Sequence, residues 1–213
     1  MIGIIDYRMG NLRSVQKAFE HVGAAARVVA SPDELADAQR LVLPGVGAFA
    51  DGMTYLRDAG WIEPIRQWIA SDRPFLGICL GMQLLFDGSQ EDAPTAAQPV
   101  PGLGVLRGQV VRFSEQVGER RIKGPHMGWN TLRPTRPNNP LYAGLDTDPA
   151  VYFVHSYYVQ PDEATASDVV VTVTDYGQAF CSSVWRDRLW ATQFHPEKSQ
   201  RVGLRMLANF AGA

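Results

Sequence analysis

Short, continuous apolar runs alternate with amphipathic segments along the first half of the chain. The runs predict buried strands, because a strand covered on both faces lacks a polar side; they lie at residues 1–5, 26–30, 41–43 and 74–78. Each run is followed by a segment with helical periodicity or by a turn. This alternation predicts an α/β fold with a mostly parallel central sheet and helices on both faces.

Helices are predicted where apolar side chains recur every three or four residues. The first begins at Leu12, and a second covers residues 51–70 with breaks near Gly60 and Pro64. Residues 80–86 predict the first turns of a further helix, directly after the strand at residues 74–78. Because ligands in such folds bind outside the carboxyl ends of the parallel strands, we expect the functional residues at those ends.

The pattern changes in the second half of the chain. Residues 87–104 form an irregular stretch, and residues 133–149 are predicted as loop. Strand-like runs then dominate, at residues 109–113, 129–132, 151–159, 169–175, 179–185 and 189–194. They predict additional antiparallel strands in the C-terminal half. Ser199 is predicted to cap a last helix, and we expect residues 1–213 to form a single domain.

Composition restricts the functional classes. The net charge is −2 with acidic and basic residues interspersed, which does not favour a nucleic-acid or membrane-surface partner. The two cysteines are too few for a disulfide framework and indicate a reducing compartment, for which we expect the cytoplasm. The first residues enter a strand rather than a basic and apolar leader, and no apolar stretch approaches the ~20 residues that span a bilayer.

One of the two cysteines stands at a predicted strand-to-helix junction. Cys79 follows the strand at residues 74–78, with Gly77 and Gly81 two residues away on each side. This is the nucleophile-elbow pattern with cysteine in place of serine. The glycines are expected because a Cβ at either position would clash in a tight turn, and the helix N-terminus favours a thiolate. A buried core cysteine beside packing glycines is the alternative interpretation.

A second candidate group ends the last predicted strand. His195 is followed by Pro196 and Glu197, and residues i and i+2 of an extended segment point to the same side. Glu197 can therefore fix the tautomer of His195, whose other nitrogen faces a nucleophile. Together with Cys79 these residues predict a catalytic triad.

Acyl transfer also requires donors for an oxyanion. The backbone N–H of Leu80, which follows the nucleophile, is one candidate. The second is expected from the Pro44-Gly45-Val46-Gly47 turn, through Val46 or Gly47, because its glycines let the backbone approach a ligand. The other cysteine, Cys181, lies inside a predicted strand and is interpreted as inert.

Residues 76–83 and 195–197 together resemble the class I glutamine amidotransferases, which carry a catalytic triad. Within that superfamily, residues 6–15, 43–49, 125–130 and 195–199 are similar to the glutaminase subunits of imidazole glycerol phosphate synthase. Arg8 and Arg107 depart from the glycine and proline usual in that family. The resemblance implies that Cys79 attacks the side-chain amide of glutamine and that water hydrolyses the glutamyl thioester. It implies no cofactor and no metal.

The resemblance also implies contacts to substrate and partner. Gln83 would contact the glutamine head group, Glu91 its α-amino group, and Ser156 and Tyr157 its α-carboxylate through backbone donors. Ammonia would pass to a (β/α)8-barrel cyclase in a heterodimer that serves histidine biosynthesis. The residues expected to face the cyclase are Asn11, Met127, Trp129, Asn130 and Lys198. His126 is interpreted as an interface or structural residue, not as a second base.

Two other functions remain open at this point. The cysteine motif also fits a free-standing γ-glutamyl hydrolase or the glutaminase of another synthase. A catalytically silent binding protein on the same fold is the other alternative, although an intact set of Cys79, His195 and Glu197 argues against it. Reaction of Cys79 with a glutamine-analogue electrophile separates the silent protein from both enzymes.

Overall fold

An eight-stranded mixed sheet forms the centre of the molecule. The computed structural model describes residues 1–118, 120–122 and 124–213. In spatial order the strands are β2 (Ala26–Val29), β1 (Ile2–Ile5), β3 (Arg40–Gly45), β4 (Phe75–Cys79), β16 (Leu189–Thr192), β15 (Ala179–Arg186), β14 (Val170–Asp175) and β11 (Arg133–Pro134). The first five are parallel and the last three pair antiparallel, as the sequence predicts.

The other strands form smaller sheets. They are β5 (Phe86–Ser89), β6 (Val100–Pro101), β7 (Leu106–Arg112), β8 (Gln116–Val117), β9 (Arg120–Arg121), β10 (His126–Thr131), β12 (Ala150–His155) and β13 (Tyr157–Pro161). Strands β13, β7, β5 and β6 make a four-stranded sheet, while β10 pairs with β12 and β8 with β9.

Helices cover both faces of the central sheet. They are α1 (Leu12–His21), α2 (Phe49–Asp58), α3 (Ile62–Ala70), α4 (Leu80–Gln83), α5 (Glu163–Val169) and α6 (Gln200–Gly212), with 3-10 turns at Pro32–Leu35, Pro140–Tyr142 and Pro196–Lys198. Apolar side chains of α2 and α3 join one core cluster, and those of α1 and α6 join the other. No helix in the described part of the chain combines the length and apolar character needed to cross a bilayer.

Several predicted boundaries are wrong for identifiable reasons. The helix expected over residues 80–86 ends at Gln83, because Phe86 already pairs with β7 in the four-stranded sheet. Gly60, at φ +72°, separates α2 from α3, whereas Pro64 lies in the first turn of α3, where its missing N–H costs nothing. The strand expected over residues 151–159 is divided at Ser156 into β12 and β13, which belong to different sheets.

Ser199 occupies the N-cap position of α6, as predicted, and its carbonyl accepts from the N–H of Gly203 at 3.1 Å, but its side chain makes no capping hydrogen bond. Its hydroxyl instead donates to the carbonyl of His195 at 2.7 Å and accepts from the backbone N–H of Tyr152 at 3.0 Å. A Cβ on Gly203 of α6 would overlap the carbonyl of Pro196. These contacts fix the segment that carries His195 between β12 and α6.

Two buried histidines lie opposite each other where β10 pairs with β12. His126 Nδ1 and His155 Nε2 are 3.0 Å apart, and His155 Nδ1 lies 2.8 Å from the carbonyl oxygen of Tyr157. A carbonyl only accepts, so His155 carries its proton on Nδ1 and accepts at Nε2 from His126 Nδ1–H. His126 Nε2 is then an acceptor, and Asn130 Nδ2 donates to it at 3.2 Å.

Burial keeps both histidines neutral. It lowers the pKa of His155 to about 3, against a smaller raising effect of the hydrogen bond to Tyr157. Burial likewise lowers the pKa of His126 to about 4. The ring of His126 stacks between those of Phe153 and Tyr176, at centroid distances of 4.7 and 4.1 Å. The pair is therefore a neutral, directional hydrogen-bonded unit inside an aromatic cluster.

The lowered pKa of His155 predicts a loss of stability in acid. The unfolded chain takes up a proton at its ordinary pKa of about 6.5 and the folded chain does so only near 3, so stability falls as the pH drops through this window. Between pH 7 and pH 5 the wild type should lose about 2 kcal/mol more unfolding free energy than His155→Phe. Urea denaturation at the two pH values measures this difference.

The control is His21→Gln, which removes an exposed histidine from α1 and should keep the wild-type pH dependence. An equal loss in wild type and His155→Phe would contradict the assignment of a neutral, buried His155.

Candidate active site

Cys79 lies at a sharp junction between strand and helix. It is the last residue of β4, and α4 begins at Leu80. Its backbone has φ +54° and ψ −108°, a conformation that residues with a Cβ rarely adopt and that costs of order 1–3 kcal/mol. The side chain is 6% exposed. The sequence prediction of an elbow is confirmed, and the strain indicates a position that the surrounding structure enforces.

Three glycines make this junction sterically possible. A Cβ on Gly77 would lie 2.8 Å from the carbonyl oxygen of Gly81, which confirms the expected close approach within the turn. A Cβ on Gly81 would instead overlap the carbonyl of Leu43 in the neighbouring strand β3. Gly45, which is in register with Cys79, has no room for a Cβ because the Tyr7 hydroxyl occupies the space. The second elbow glycine therefore serves packing against β3.

His195 and Glu197 form a buried pair. His195 Nδ1 and Glu197 Oε1 are 2.8 Å apart, and both side chains are 2% exposed. The sequence places them two residues apart, and the structure joins them through the 3-10 turn Pro196–Lys198 rather than through a continuing strand. His195 Nε2 and Glu197 Oε2 make no hydrogen bond to any part of the chain that the structure describes. Nε2 is thus left for chemistry.

The imidazole of His195 interacts with the thiol of Cys79. Burial lowers the pKa of His195, but the charge of the nearby Cys79, together with Glu197, more than offsets this effect and raises the pKa to about 10. The proton is therefore held on His195 when Cys79 is a thiolate. The structure brings Cys79, His195 and Glu197 into one group.

Gln193 also contacts Cys79, although sequence reasoning did not single it out. Its Nε2 lies 3.7 Å from Cys79 Sγ, and its side chain is fully buried. Gln83 Nε2 donates to Gln193 Oε1 at 3.0 Å and to the carbonyl of Tyr157 at 2.9 Å. An amide side chain in the otherwise largely apolar run 189–194 is the sequence signal that could have indicated Gln193. Gln83 itself is 5% exposed, so α4 presents it to protein groups.

The Pro44–Gly47 turn lies directly beside the elbow. Pro44 and Gly45 end β3 next to Ile78 and Cys79 of β4, and Gly47 follows at φ +105°. Val46 is 39% exposed. Leu80 is buried at the start of α4. The backbone of this turn and the first turn of α4 therefore both adjoin Cys79.

The residues expected to bind an amino-acid head group make separate contacts within the protein. Glu91 Oε2 accepts from the backbone N–H of Phe49 at 2.9 Å. Burial raises the pKa of Glu91; this hydrogen bond opposes the shift, and nearby Asp92 and Asp51 add to it. Ser156 lines a cavity of about 690 Å³ between β7, the β8–β9 hairpin and β10. The carbonyl of Tyr157, in the next position, is already used by Gln83 and His155.

An apolar surface lies on strand β10. The side chain of Met127 is 61% exposed and that of Trp129 is 50% exposed, while His126 at the start of the same strand is buried. Asn130 donates to the carbonyl of Asp175 at 2.8 Å, and Lys198 is exposed. Asn11 caps α1 by accepting from the N–H of Ser14 at 3.4 Å.

Cys181 occupies a chemically different environment from Cys79. Its thiol is buried and donates to the carbonyl of Ser183 at 3.6 Å. Burial raises its pKa to about 12, which suppresses the thiolate. Among the described residues there is no cluster of three or more His, Cys, Asp or Glu side chains that could hold a metal ion. The arrangement around Cys79 suits nucleophilic acyl transfer.

Structural comparison shows the fold. A structure described as a glutamine amidotransferase covers 100% of this chain and 99% of its own, with a TM-score of 0.72 at 21% identity. The structure of PurLQS from Thermotoga maritima covers 99% of this chain and 97% of its own, with a TM-score of 0.73 at 18% identity. Both are similar in architecture.

Sequence comparison shows the family. The model of glutamine amidotransferase class-I matches residues 3–212. Imidazole glycerol phosphate synthase subunit HisH of Syntrophotalea carbinolica is 55% identical over 99% of this chain and 98% of its own length. HisH of Geobacter metallireducens is 51% identical over 99% of this chain and 97% of its own length. The chain therefore belongs to the class-I glutamine amidotransferases and, within them, to the HisH subunits of imidazole glycerol phosphate synthase.

Proposed function

We propose that this chain hydrolyses L-glutamine to glutamate and ammonia through Cys79, His195 and Glu197. The observation that carries the proposal is the buried His195–Glu197 pair. The Nε2 atom of His195 has no hydrogen-bond partner in the described part of the chain, and the pair lies beside Cys79, whose backbone at the elbow is strained. Glutamine hydrolysis is the activity that the family membership implies. A histidine biosynthetic role follows from the HisH relatives.

The residues define a two-step acyl transfer. His195 takes the thiol proton, and the Cys79 thiolate attacks the carboxamide carbon of glutamine. The C–N bond then breaks as His195 returns the proton to the departing ammonia, which leaves a γ-glutamyl thioester on Cys79. Water, deprotonated by His195, attacks the thioester carbon and releases glutamate and the thiol. Glu197 holds the imidazole orientation and stabilises its charged form throughout.

Charge that develops on the carbonyl oxygen needs backbone donors. The N–H of Leu80 supplies one, at the start of α4, and Val46 or Gly47 supplies the other. Gly47 has φ +105°, which a residue with a Cβ would rarely adopt. A glycine at this position lets the backbone of the turn take the conformation that a donor N–H requires. The position of the turn beside the elbow supports this assignment.

The head group of glutamine is assigned to the groups around the elbow. Glu91 supplies a carboxylate for the α-amino group, and backbone donors at Ser156 and Tyr157 meet the α-carboxylate. Both amide hydrogens of Gln83 are already bound by Tyr157 and Gln193. Only its Oε1 remains for the head-group contact that the resemblance assigns to Gln83, and there it would act as an acceptor.

Ammonia is delivered to a partner, for which we propose the (β/α)8-barrel cyclase subunit of the synthase. The exposed Met127 and Trp129 form an apolar surface on β10, and tryptophan is frequent among residues that dominate binding energy. Asn11, Asn130 and Lys198 are assigned to the rim of this surface. Its exposure disfavours a free-standing hydrolase, which would have no use for a docking surface there.

A pair of cysteine variants tests the nucleophile. Cys79→Ala should abolish labelling by a glutamine-analogue electrophile and lower glutamine turnover in the cyclase complex by at least ~10³-fold, because the attacking atom is lost. Cys181→Ala is the matched control and should retain both, since its thiol is buried and bound to Ser183. Mass spectrometry locates the label, and glutamate release measures turnover. Turnover that persists in Cys79→Ala would contradict the proposal.

Truncation of Trp129 tests the partner surface. Trp129→Ala should weaken binding of the cyclase by about 10–100-fold, the usual cost of truncating an interface hot spot. Titration calorimetry with the purified cyclase measures the Kd. The control His21→Gln, at an exposed position of α1, should bind as the wild type does. Unchanged affinity of Trp129→Ala would place the interface elsewhere.

A further inference from the structure

A continuous hydrogen-bonded path leads from strand β10 to the nucleophile. It begins at Asn130, passes through His126 and His155, and reaches the carbonyl of Tyr157. From there Gln83 and Gln193 continue it to Cys79 Sγ. Each heavy-atom distance in it is between 2.8 and 3.2 Å, except the 3.7 Å contact to sulfur.

The donor direction is fixed at every step near the nucleophile. Gln83 uses both amide hydrogens, one toward Tyr157 O and one toward Gln193 Oε1. Gln193 must therefore present its own Nε2 to Cys79 Sγ. An amide flip of Gln193 would place two donors against each other at Gln83 and an acceptor against the sulfur. Because the side chain of Gln193 is fully buried, water is not available to relieve such a mismatch.

The direction is equally fixed at the other end of the path. Tyr157 O can only accept, so His155 donates from Nδ1, His126 donates from Nδ1 to His155, and Asn130 donates to His126 Nε2. Asn130 belongs to β10, the strand that exposes Met127 and Trp129. A change at Asn130 can therefore reach the path through the protonation state of His126, to which Asn130 donates.

We propose that Gln193 is a positioning residue for the Cys79 nucleophile, and that the path Asn130–His126–His155–Tyr157 carbonyl–Gln83–Gln193 couples strand β10 to it. The coupling to a partner rests on the proposed function, which assigns β10 to the cyclase interface. The position of Gln193 at Sγ does not depend on that assignment.

The chemical consequence concerns the thiolate. An N–H donor stabilises an anionic sulfur more than a neutral thiol, so Gln193 favours the reactive form and fixes the direction of its lone pairs. The titratable groups that interact electrostatically with Cys79 are His195 and Tyr7. Gln193 adds an uncharged donor to these, and the amide itself does not titrate over the pH range of the experiment.

A purely structural role for this path makes a different prediction. Buried amides and imidazoles must be hydrogen-bonded in any case, and a role limited to satisfying them would affect stability alone. The pH at which Cys79 becomes reactive distinguishes the two roles, because it reports the thiolate and not the fold.

Alkylation of Cys79 by iodoacetamide tests the role of Gln193. The full chain is treated across a range of pH, and mass spectrometry resolves the Cys79 peptide from that of Cys181. In Gln193→Leu the midpoint of the rate profile should rise by about one pH unit, the effect of a lost hydrogen bond to an anion. Gln193→Met, which preserves length, should do the same. The control Gln160→Leu, at an exposed position of β13, should keep the wild-type midpoint.

A reversal of polarity at Asn130 tests the coupling. Asn130→Asp places an acceptor against His126 Nε2, so His126 should take up a proton there while its Nδ1–H still donates to His155, and ¹⁵N NMR of the histidine rings detects this change. The midpoint for Cys79 should shift in the same experiment. Asn138→Asp, at an exposed site, is the control for added charge.

The outcomes separate the claims. Unchanged midpoints in both Gln193 variants would overturn the positioning role. A shifted midpoint with Gln193 but none with Asn130→Asp would overturn the coupling to β10 and keep Gln193 in its role. Neither readout requires glutamine or the cyclase. Failure of glutamine hydrolysis would therefore contradict the proposed function without affecting these results.

Discussion

The close approach of the elbow to strand β3 is the constraint on which the site depends. Cys79 is held at φ +54° because β4, β3 and α4 meet with no space for side chains at Gly45, Gly77 or Gly81. The strain at Cys79 is small compared with the apolar burial of the surrounding strands and helices, so packing can enforce it. The outcome is a thiol at the carboxyl edge of the sheet, beside the Pro44–Gly47 turn.

A single short segment supplies most of the groups that act on this thiol. Gln193, His195, Glu197 and Ser199 stand at every second position between β16 and α6. The first contacts Sγ, the second and third form the buried pair, and the fourth fixes the backbone of His195. Because α6 approaches Pro196 closely at Gly203, a displacement of this helix would move all four groups together.

The sequence was sufficient for the alternating core of the fold, because buried parallel strands and the elbow glycines leave local signals. The sequence also indicated Cys79, His195 and Glu197 as candidate site residues, because each stands at or just after the end of a predicted strand. The pattern did not show that residues 86–89 leave the helix to join a second sheet, or that the hydroxyl of Ser199, the N-cap residue of α6, bonds to the carbonyl of His195. Nor did it show Gln193, or the contact between His126 and His155. These features arise from pairing between distant segments, which local periodicity does not encode. Arg8, at φ +69°, occupies a left-handed position where the family usually has glycine.

The central claim is that Cys79 carries the acyl group during glutamine hydrolysis. Rapid acid quenching of the cyclase complex during turnover, followed by mass spectrometry of its peptides, tests this most directly. The account predicts a γ-glutamyl thioester on the peptide that contains Cys79, formed and consumed at the rate of glutamate release. Glutamate release with no acyl group on Cys79 at any time, or an acyl group on Cys181 instead, would contradict it.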